Sequence, residues 1–335
     1  MRPLPSHVPP PPYPHTHTSH FVRSSSSYDE MMMVAVWTGI TRGRLLPYCL
    51  FQGSADSTAY QWMSRMGVHI ITRDPAWADD FARIAVAGRD NNAKHSHLYA
   101  SREAIVGTWQ RIDIPLLPEL RPFDYMLFTD ADVIFRRRVN AAEFGYPLPA
   151  CLGMGTEMLD TPPYNAGVML MRLSCLRDSY DEFLAFILSN KHGLFFPGYG
   201  PVDQGALNQF YEQRITRIPK KWNAKPYHDD QGDAVIVHFH GPKPSHYVEF
   251  ARSGQCPFNF GTLCRDGQSR AAPHYVAIYT EELAALRVAE EQWKSGGGAR
   301  RLAVEDDAVE PDSAVVAPVG TAAATRLRGP HAKEQ

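Results

Sequence analysis

The chain has 335 residues, 44% of them hydrophobic, and a formal net charge of −2. That size and apolar content allow one large domain or two small ones with ample core. The near-neutral charge, with Arg136-Arg137-Arg138 as the densest basic tract, excludes nucleic acid as the expected partner. No apolar run approaches the ~18 residues of a membrane span; the best is Met31 to Trp37.

Residues 1–18 are rich in Pro, His and Ser and are expected to be disordered. They lack the apolar centre of a signal peptide, and no Asn-x-Ser/Thr acceptor occurs. A cytoplasmic location is the expectation, with the Golgi as the alternative for a chain whose anchor is missing from this sequence. Five cysteines do not make a disulfide framework. Cys256 and Cys264 flank a short loop and are expected reduced.

His20-Phe21-Val22-Arg23 reads as a first strand and Tyr28 to Thr41 as a helix. Leu45 to Phe51 is a second strand. Ser54-Ala55-Asp56-Ser57 caps a helix through Met66, and Val68 to Ile71 is a third strand. This βαβαβ order begins a doubly wound sheet. Helices are expected over Asp79 to Ala87 and His97 to Arg111, and prolines at 115, 118 and 122 break the chain before the next strand. Beyond it come a short strand at Ala150 to Met154, an apolar strand from Asn165 to Met171, and a long helix from Ser174 to Asn190. A Gly/Pro loop precedes a helix over Val202 to Arg214. Ala234 to Phe239 is a last strand, Tyr275 to Lys294 a helix, and residues 295–335 a disordered tail. The folded domain is expected to span 19–294.

The stretch from Phe123 to Phe135, with Tyr125 to Phe128 followed by Asp130-Ala131-Asp132, organises the chain. Its apolar run has strand length and reads as a buried parallel strand. Residues i and i+2 of extended backbone point the same way, so Asp130 and Asp132 converge. Converging carboxylates repel unless a cation lies between them or one is protonated, and ligands of open α/β sheets bind at the carboxyl ends of strands. A hard divalent cation with an anionic ligand, Mn²⁺ or Mg²⁺ with phosphate, answers both conditions. A turn cap is the plain alternative. An aspartyl-nucleophile phosphatase would want Thr where Ile134 stands.

Four segments, "LFTDADVIF", "YNAGVMLMRL", "PVDQGALNQF" and "VIVHFHGPKP", resemble in order and spacing the nucleotide-sugar glycosyltransferases of family 8, the group of glycogenin and the lipooligosaccharide galactosyltransferases. The likeness spans about residues 20 to 250. It implies an α/β fold of GT-A type, Rossmann-like, with a mostly parallel central sheet flanked by helices. It implies a UDP-sugar donor, a carbohydrate, glycoconjugate or protein acceptor, and Mn²⁺ (or Mg²⁺) as cofactor, and it is compatible with a homodimer. By the resemblance, Asp130, Asp132 and His238 are the metal ligands, with His240 in reserve. Gly241 and Lys243 face phosphate, although the Lys lies one residue nearer the His than the family pattern. Phe21, Val22 and Tyr28 form the nucleoside cradle, which Arg23 makes unusual. Ala131, Ala166 and Gly167 line the nucleotide site, Arg111 reaches sugar or phosphate, and Asn165, Asp203 and Gln204 orient the donor sugar. Asp203 at a helix start is equally readable as a cap. A binding protein that keeps the fold without catalysis, and a metal-dependent phosphohydrolase or nucleotidyltransferase, are the rival functions.

Overall fold

The structure, a computed structural model, describes residues 15–20, 26–87, 101–157, 163–229, 232–257 and 260–294. The first half alternates strands and helices as far as α3 and then adds a second helix before β4: β1 (His15–His20), α1 (Ser26–Thr41), β2 (Tyr48–Phe51), α2 (Thr58–Arg65), β3 (His69–Ile71), α3 (Ala78–Ala87), α4 (Arg102–Trp109) and β4 (Tyr125–Thr129). The second half adds β5 (Val133–Phe135), β6 (Leu152–Thr156), β7 (Tyr164–Arg172), α5 (Leu173–Asp178), α6 (Tyr180–Leu188), β8 (Phe195–Phe196), β9 (Gly200–Pro201) and α7 (Val202–Phe210). It closes with β10 (Ile215–Arg217), β11 (Ile236–His238), α8 (Pro244–Ser253), α9 (Gly261–Gln268) and α10 (Ala272–Lys294).

Seven strands form the central sheet in the order β10-β6-β7-β4-β1-β2-β3. All neighbours are parallel except β7, which runs antiparallel to both β4 and β6. The fold is therefore the expected α/β type with a mostly parallel sheet. Period-2 alternation sorts the strands' side chains. Tyr48, Leu50, Met126, Phe128, Met169 and Met171 enter one core with residues of α3 to α7. Cys49 and Phe51 enter a second core with residues of α1, α2 and α10, and Leu127, Val168 and Leu170 a third with Val133, Phe135 and Trp222. No helix among the described residues is long and apolar enough to cross a membrane.

The first strand begins earlier than expected. It runs from His15 to His20, so part of the Pro/His-rich segment belongs to the sheet. This strand lies between β4 and β2, where His17 aligns with both Tyr48 and Phe128. Ladders on both sides satisfy its backbone, so it needs no apolar run, which is the signal the sequence lacks there. Phe21, Val22 and Arg23 lie outside the described residues, as do 1–14 and 295–335.

Three further expectations change. The helix ending at Arg111 stops at Trp109 and tightens into a 3-10 turn over Gln110–Leu116, because Pro115 has no N–H to give to residue 111. The helix from Ser174 to Asn190 is two helices broken at Ser179, whose hydroxyl bonds the Cys175 carbonyl at 2.9 Å and meets the Tyr211 hydroxyl at 2.9 Å. The last strand does not enter the main sheet; β11 pairs antiparallel with β5.

The cysteine expectation is overturned. Cys256 and Cys264 are bonded, and so are Cys151 and Cys175, which ties the start of β6 to α5. Cys49 is free and buried.

Candidate active site

Strand pairing gathers the site at the carboxyl edge of β4. Thr129 pairs with Val168 of the reversed strand β7, so Asn165, Ala166 and Gly167 arrive beside Asp130. The Asp130 N–H donates to the Gly167 carbonyl at 2.8 Å. On the other side His238 pairs with Val133, and the Phe239 N–H donates to the Asp132 carbonyl at 2.8 Å. Ala131, between the two carboxylates, packs against the apolar cluster of α1 and α10, which turns its neighbours' side chains the other way.

The three expected ligand groups meet. Ligand atoms of Asp130, Asp132 and His238 all lie within 4.8 Å of one another. His238 Nε2 is 3.2 Å from Asp132 Oδ1 and 3.9 Å from Asp130 Oδ2, and the imidazole is 1% exposed. Burial works to raise the Asp132 carboxyl, but Lys243 and His238 beside it more than offset that and hold it well below the usual carboxylate range. Asp132 Oδ1 is buried with no well-aligned hydrogen bond among the described residues. Two hard oxygens and one imidazole, with an orphaned buried oxygen between them, fit a divalent cation of the Mn²⁺ or Mg²⁺ kind. Gly167 makes the room: a Cβ there would lie 2.1 Å from His238 Cε1 and 2.8 Å from Asp130 Oδ2.

Arg111 joins this group to α7. Its guanidinium reaches Asp130 Oδ1 at 2.9 Å and Asp203 Oδ2 at 3.0 Å, donates to the Ala166 carbonyl at 2.9 Å and lies over the Phe128 ring, 4.4 Å from its centre. Arg111, expected to reach sugar or phosphate, is a buried bridge between two carboxylates. Asp203 is 3% exposed, and burial raises its carboxyl to about 6 against the pull of Arg111. The N-cap of α7 is Pro201, so Asp203 occupies the helix's first turn and not the capping position. Val202 before it has φ +50°, a left-handed conformation costly for a β-branched residue, and its N–H is anchored on the Leu194 carbonyl at 2.8 Å.

Asn165 and Gln204 meet as well. Gln204 Oε1 accepts from Asn165 Nδ2 at 3.1 Å and from the Ala166 N–H at 3.1 Å. Asn208, one turn on, clamps α7 to β7 by bonding both backbone groups of Tyr164, at 2.6 and 2.7 Å.

The loop after β11 turns at Gly241, φ +78°, and brings Lys243 back to Asp132. The Lys243 ammonium pairs with Asp132 and donates to the Phe239 carbonyl at 3.0 Å. His240, the reserve ligand, is engaged elsewhere. Its Nε2 lies 3.0 Å from Glu157 Oε1 and its Nδ1 2.8 Å from the Tyr227 hydroxyl. Tyr28 lies in the first turn of α1.

Sequence reasoning missed Glu157, Asn223 and Lys225. Lys225 is fully buried and donates to the Thr156 and Glu157 carbonyls at 2.6 and 2.7 Å, with burial lowering its ammonium to about 8. Polar residues set between Trp222 and Tyr227 just before the last strand were the available signal, since buried polar groups need partners.

No family model matches the chain, and no curated protein matches it. Among solved structures the chain is similar to the galactosyltransferase LgtC in complex with donor and acceptor sugar analogues, at 17% identity over 76% of this chain and 96% of that one, TM-score 0.49. It is also similar to mouse xyloside xylosyltransferase 1 in its apo form, at 15% identity over 69% and 99%, TM-score 0.45. A third is the glycosyltransferase GlyE of Streptococcus pneumoniae, at 11% identity over 81% and 64%, TM-score 0.48.

Proposed function

We propose that this protein is a cation-dependent, retaining glycosyltransferase that moves a hexose or related sugar from a UDP-sugar to a carbohydrate, glycoconjugate or protein acceptor. The observation that carries the reading is the convergence of Asp130, Asp132 and His238 with the Arg111–Asp203 pair beside them.

The reaction breaks the bond from the sugar's anomeric carbon to the β-phosphate oxygen and forms one from that carbon to an acceptor oxygen. Charge grows on the departing diphosphate and on the sugar ring. Asp130, Asp132 and His238 would hold Mn²⁺, which when bound supplies Lewis-acid stabilisation of diphosphate oxygens. Lys243, within reach of Asp132, offers a second positive charge to the same leaving group. Asp203 and Gln204 hold the donor sugar, Asn165 acts behind them by fixing the Gln204 amide, and at neutral pH the Asp203 carboxylate opposes the positive charge that develops on the ring. Arg111, fixed by Asp130, Asp203 and the Ala166 carbonyl, bridges the two carboxylates and works against the burial that raises Asp203. Attack from the face that the diphosphate leaves preserves the anomeric configuration, and the acceptor's proton can pass to the departing phosphate. No covalent nucleophile is assigned.

The test is a panel of UDP-sugars with Mn²⁺, read by UDP release. UDP from one donor, abolished by EDTA, is the expected result. Phosphate or pyrophosphate in its place points to a phosphohydrolase or nucleotidyltransferase, and nucleotide binding without turnover for any donor and acceptor points to a binding protein.

A further inference from the structure

Hydrogen bonds behind His238 have a fixed direction. Backbone N–H groups only donate and an ionised carboxylate only accepts. The Gly167 N–H donates to Asn165 Oδ1 at 3.1 Å, and Glu157 Oε2 accepts from Asn165 Nδ2 at 2.8 Å. These two contacts, with Gln204 Oε1 in the second acceptor place, admit one orientation of the Asn165 amide. Asn165 Oδ1 then faces Asn223 Nδ2 at 2.9 Å, which turns Asn223 Oδ1 toward His238 Nδ1 at 3.0 Å. An amide oxygen has no proton to give, so Nδ1 must carry one. The lone pair of a neutral His238 is left on Nε2, the atom that faces Asp132. Asn223 is 3% exposed, and its Cβ sits against the space left by Gly155, 3.0 Å from where a Cβ would be there. Side chain, amide orientation and ring are therefore set together.

We infer that Asn223 is a positioning residue for the cation: oriented through Asn165 by Glu157 and the Gly167 N–H, it holds His238 with Nδ1 protonated and Nε2 presented as the ligand atom. The inference rests on the divalent-cation reading of the site. Histidine ligands commonly need such an outer partner, and losing it costs about 10–100-fold in metal affinity.

The experiment has two readouts. Long-range ¹H–¹⁵N correlation NMR of the metal-free protein, with the His238 signals identified by their loss in His238→Gln, reads which ring nitrogen is protonated. Calorimetry with Mn²⁺ alone reads affinity. Wild type is expected to show a proton on Nδ1. Asn223→Leu, which offers no acceptor, is expected to lose that hydrogen-bonded proton and to bind Mn²⁺ about 10–100-fold more weakly. Asn223→Asp restores the acceptor toward His238 if its other oxygen carries the proton that Asn165 Oδ1 accepts, and in that form it is expected to keep the Nδ1 proton and Mn²⁺ affinity within about threefold of wild type, well inside that loss. An unprotonated Nδ1 in wild type, or a folded Asn223→Leu with wild-type affinity, overturns the inference; the wild-type and Asn223→Asp results decide it even where Asn223→Leu does not fold. Wild type that shows the Nδ1 proton but takes up no Mn²⁺ sinks the cation reading and leaves the relay intact.

Discussion

Gly167 and His238 are in such close approach that a single methyl group at residue 167 would come within 2.1 Å of the imidazole Cε1. Both positions are pinned. Gly167 is paired through Asp130, and His238 donates its backbone N–H to the Ala224 carbonyl at 2.7 Å. The imidazole must therefore swing for a Cβ to enter. Gly167→Ala is expected to weaken Mn²⁺ binding by at least about tenfold while the sheet, whose ladder does not involve that side chain, unfolds cooperatively as before. Calorimetry and a thermal melt check the two halves; unchanged Mn²⁺ affinity with His238 still in place refutes the crowding argument.

Removing a ligand is more severe than crowding one. Asp132→Ala takes away one of the three groups around the proposed cation and also the partner of Lys243. UDP affinity in wild type is expected to rise with Mn²⁺ and to fall on adding EDTA by about tenfold or more, while the variant shows no such difference. A titration of UDP with and without metal measures both. Equal wild-type affinities in the two conditions would remove the cation from the nucleotide site.

The two disulfides close loops of different length, with sequence separations of 24 for Cys151–Cys175 and 8 for Cys256–Cys264. On the chain-entropy estimate the first stabilises by about 3–4 kcal/mol and the second by about 2–3 kcal/mol. Replacing each pair with Ser is expected to reproduce that order in denaturant unfolding, the Cys151/Cys175 variant losing more. The reverse order would mean that native contacts, and not loop closure, dominate at these sites.

Legibility tracked how each residue is held. Asp130 and Asp132 could be read because a strand of buried residues, Met126 to Phe128, must end somewhere, and polar residues two apart at that end share a direction. His238, Asn165 and Asp203 came from motifs whose spacing survives in this chain. Arg111 was read as reaching sugar or phosphate and its bridging of two carboxylates was missed, because those partners are 19 and 92 positions away in sequence and meet it only through the sheet order. The parts of Asn223 and Glu157 were missed for the same reason. Their value is a hydrogen-bond direction, and no residue pattern encodes direction. The strand at His15–His20 was missed because a ladder on both sides can hold a segment with no apolar run of its own. Both disulfides were missed because pairing depends on where β6 and α5, or α8 and α9, come to lie.

Asp203 provides the last prediction, with a pH readout and a kinetic one. Burial raises its carboxyl from the ordinary 3.8 to about 6, in opposition to Arg111. Between those values the folded protein binds more protons at this site than the unfolded chain, so its stability contribution is full below the lower value and is lost as pH rises through the upper one. The loss amounts to up to roughly 3 kcal/mol at a site this buried. Asn has no proton to lose, so the wild-type protein minus Asp203→Asn should show stability falling from pH 4 to pH 6.5, measured by denaturant unfolding across that range. At neutral pH the variant is expected to melt near wild type, because the strained charge and its attraction to Arg111 are removed together. Sugar transfer should fall by about 100-fold or more, since a carboxylate that opposes developing positive charge acts only in the transition state. UDP affinity with Mn²⁺ should stay as it is, because the nucleotide is held by Asp130, Asp132, His238 and Lys243 in this scheme. A variant that transfers sugar at the wild-type rate, with the pH slope abolished, would make Asp203 a structural partner of Arg111 and pass the orienting role to Gln204.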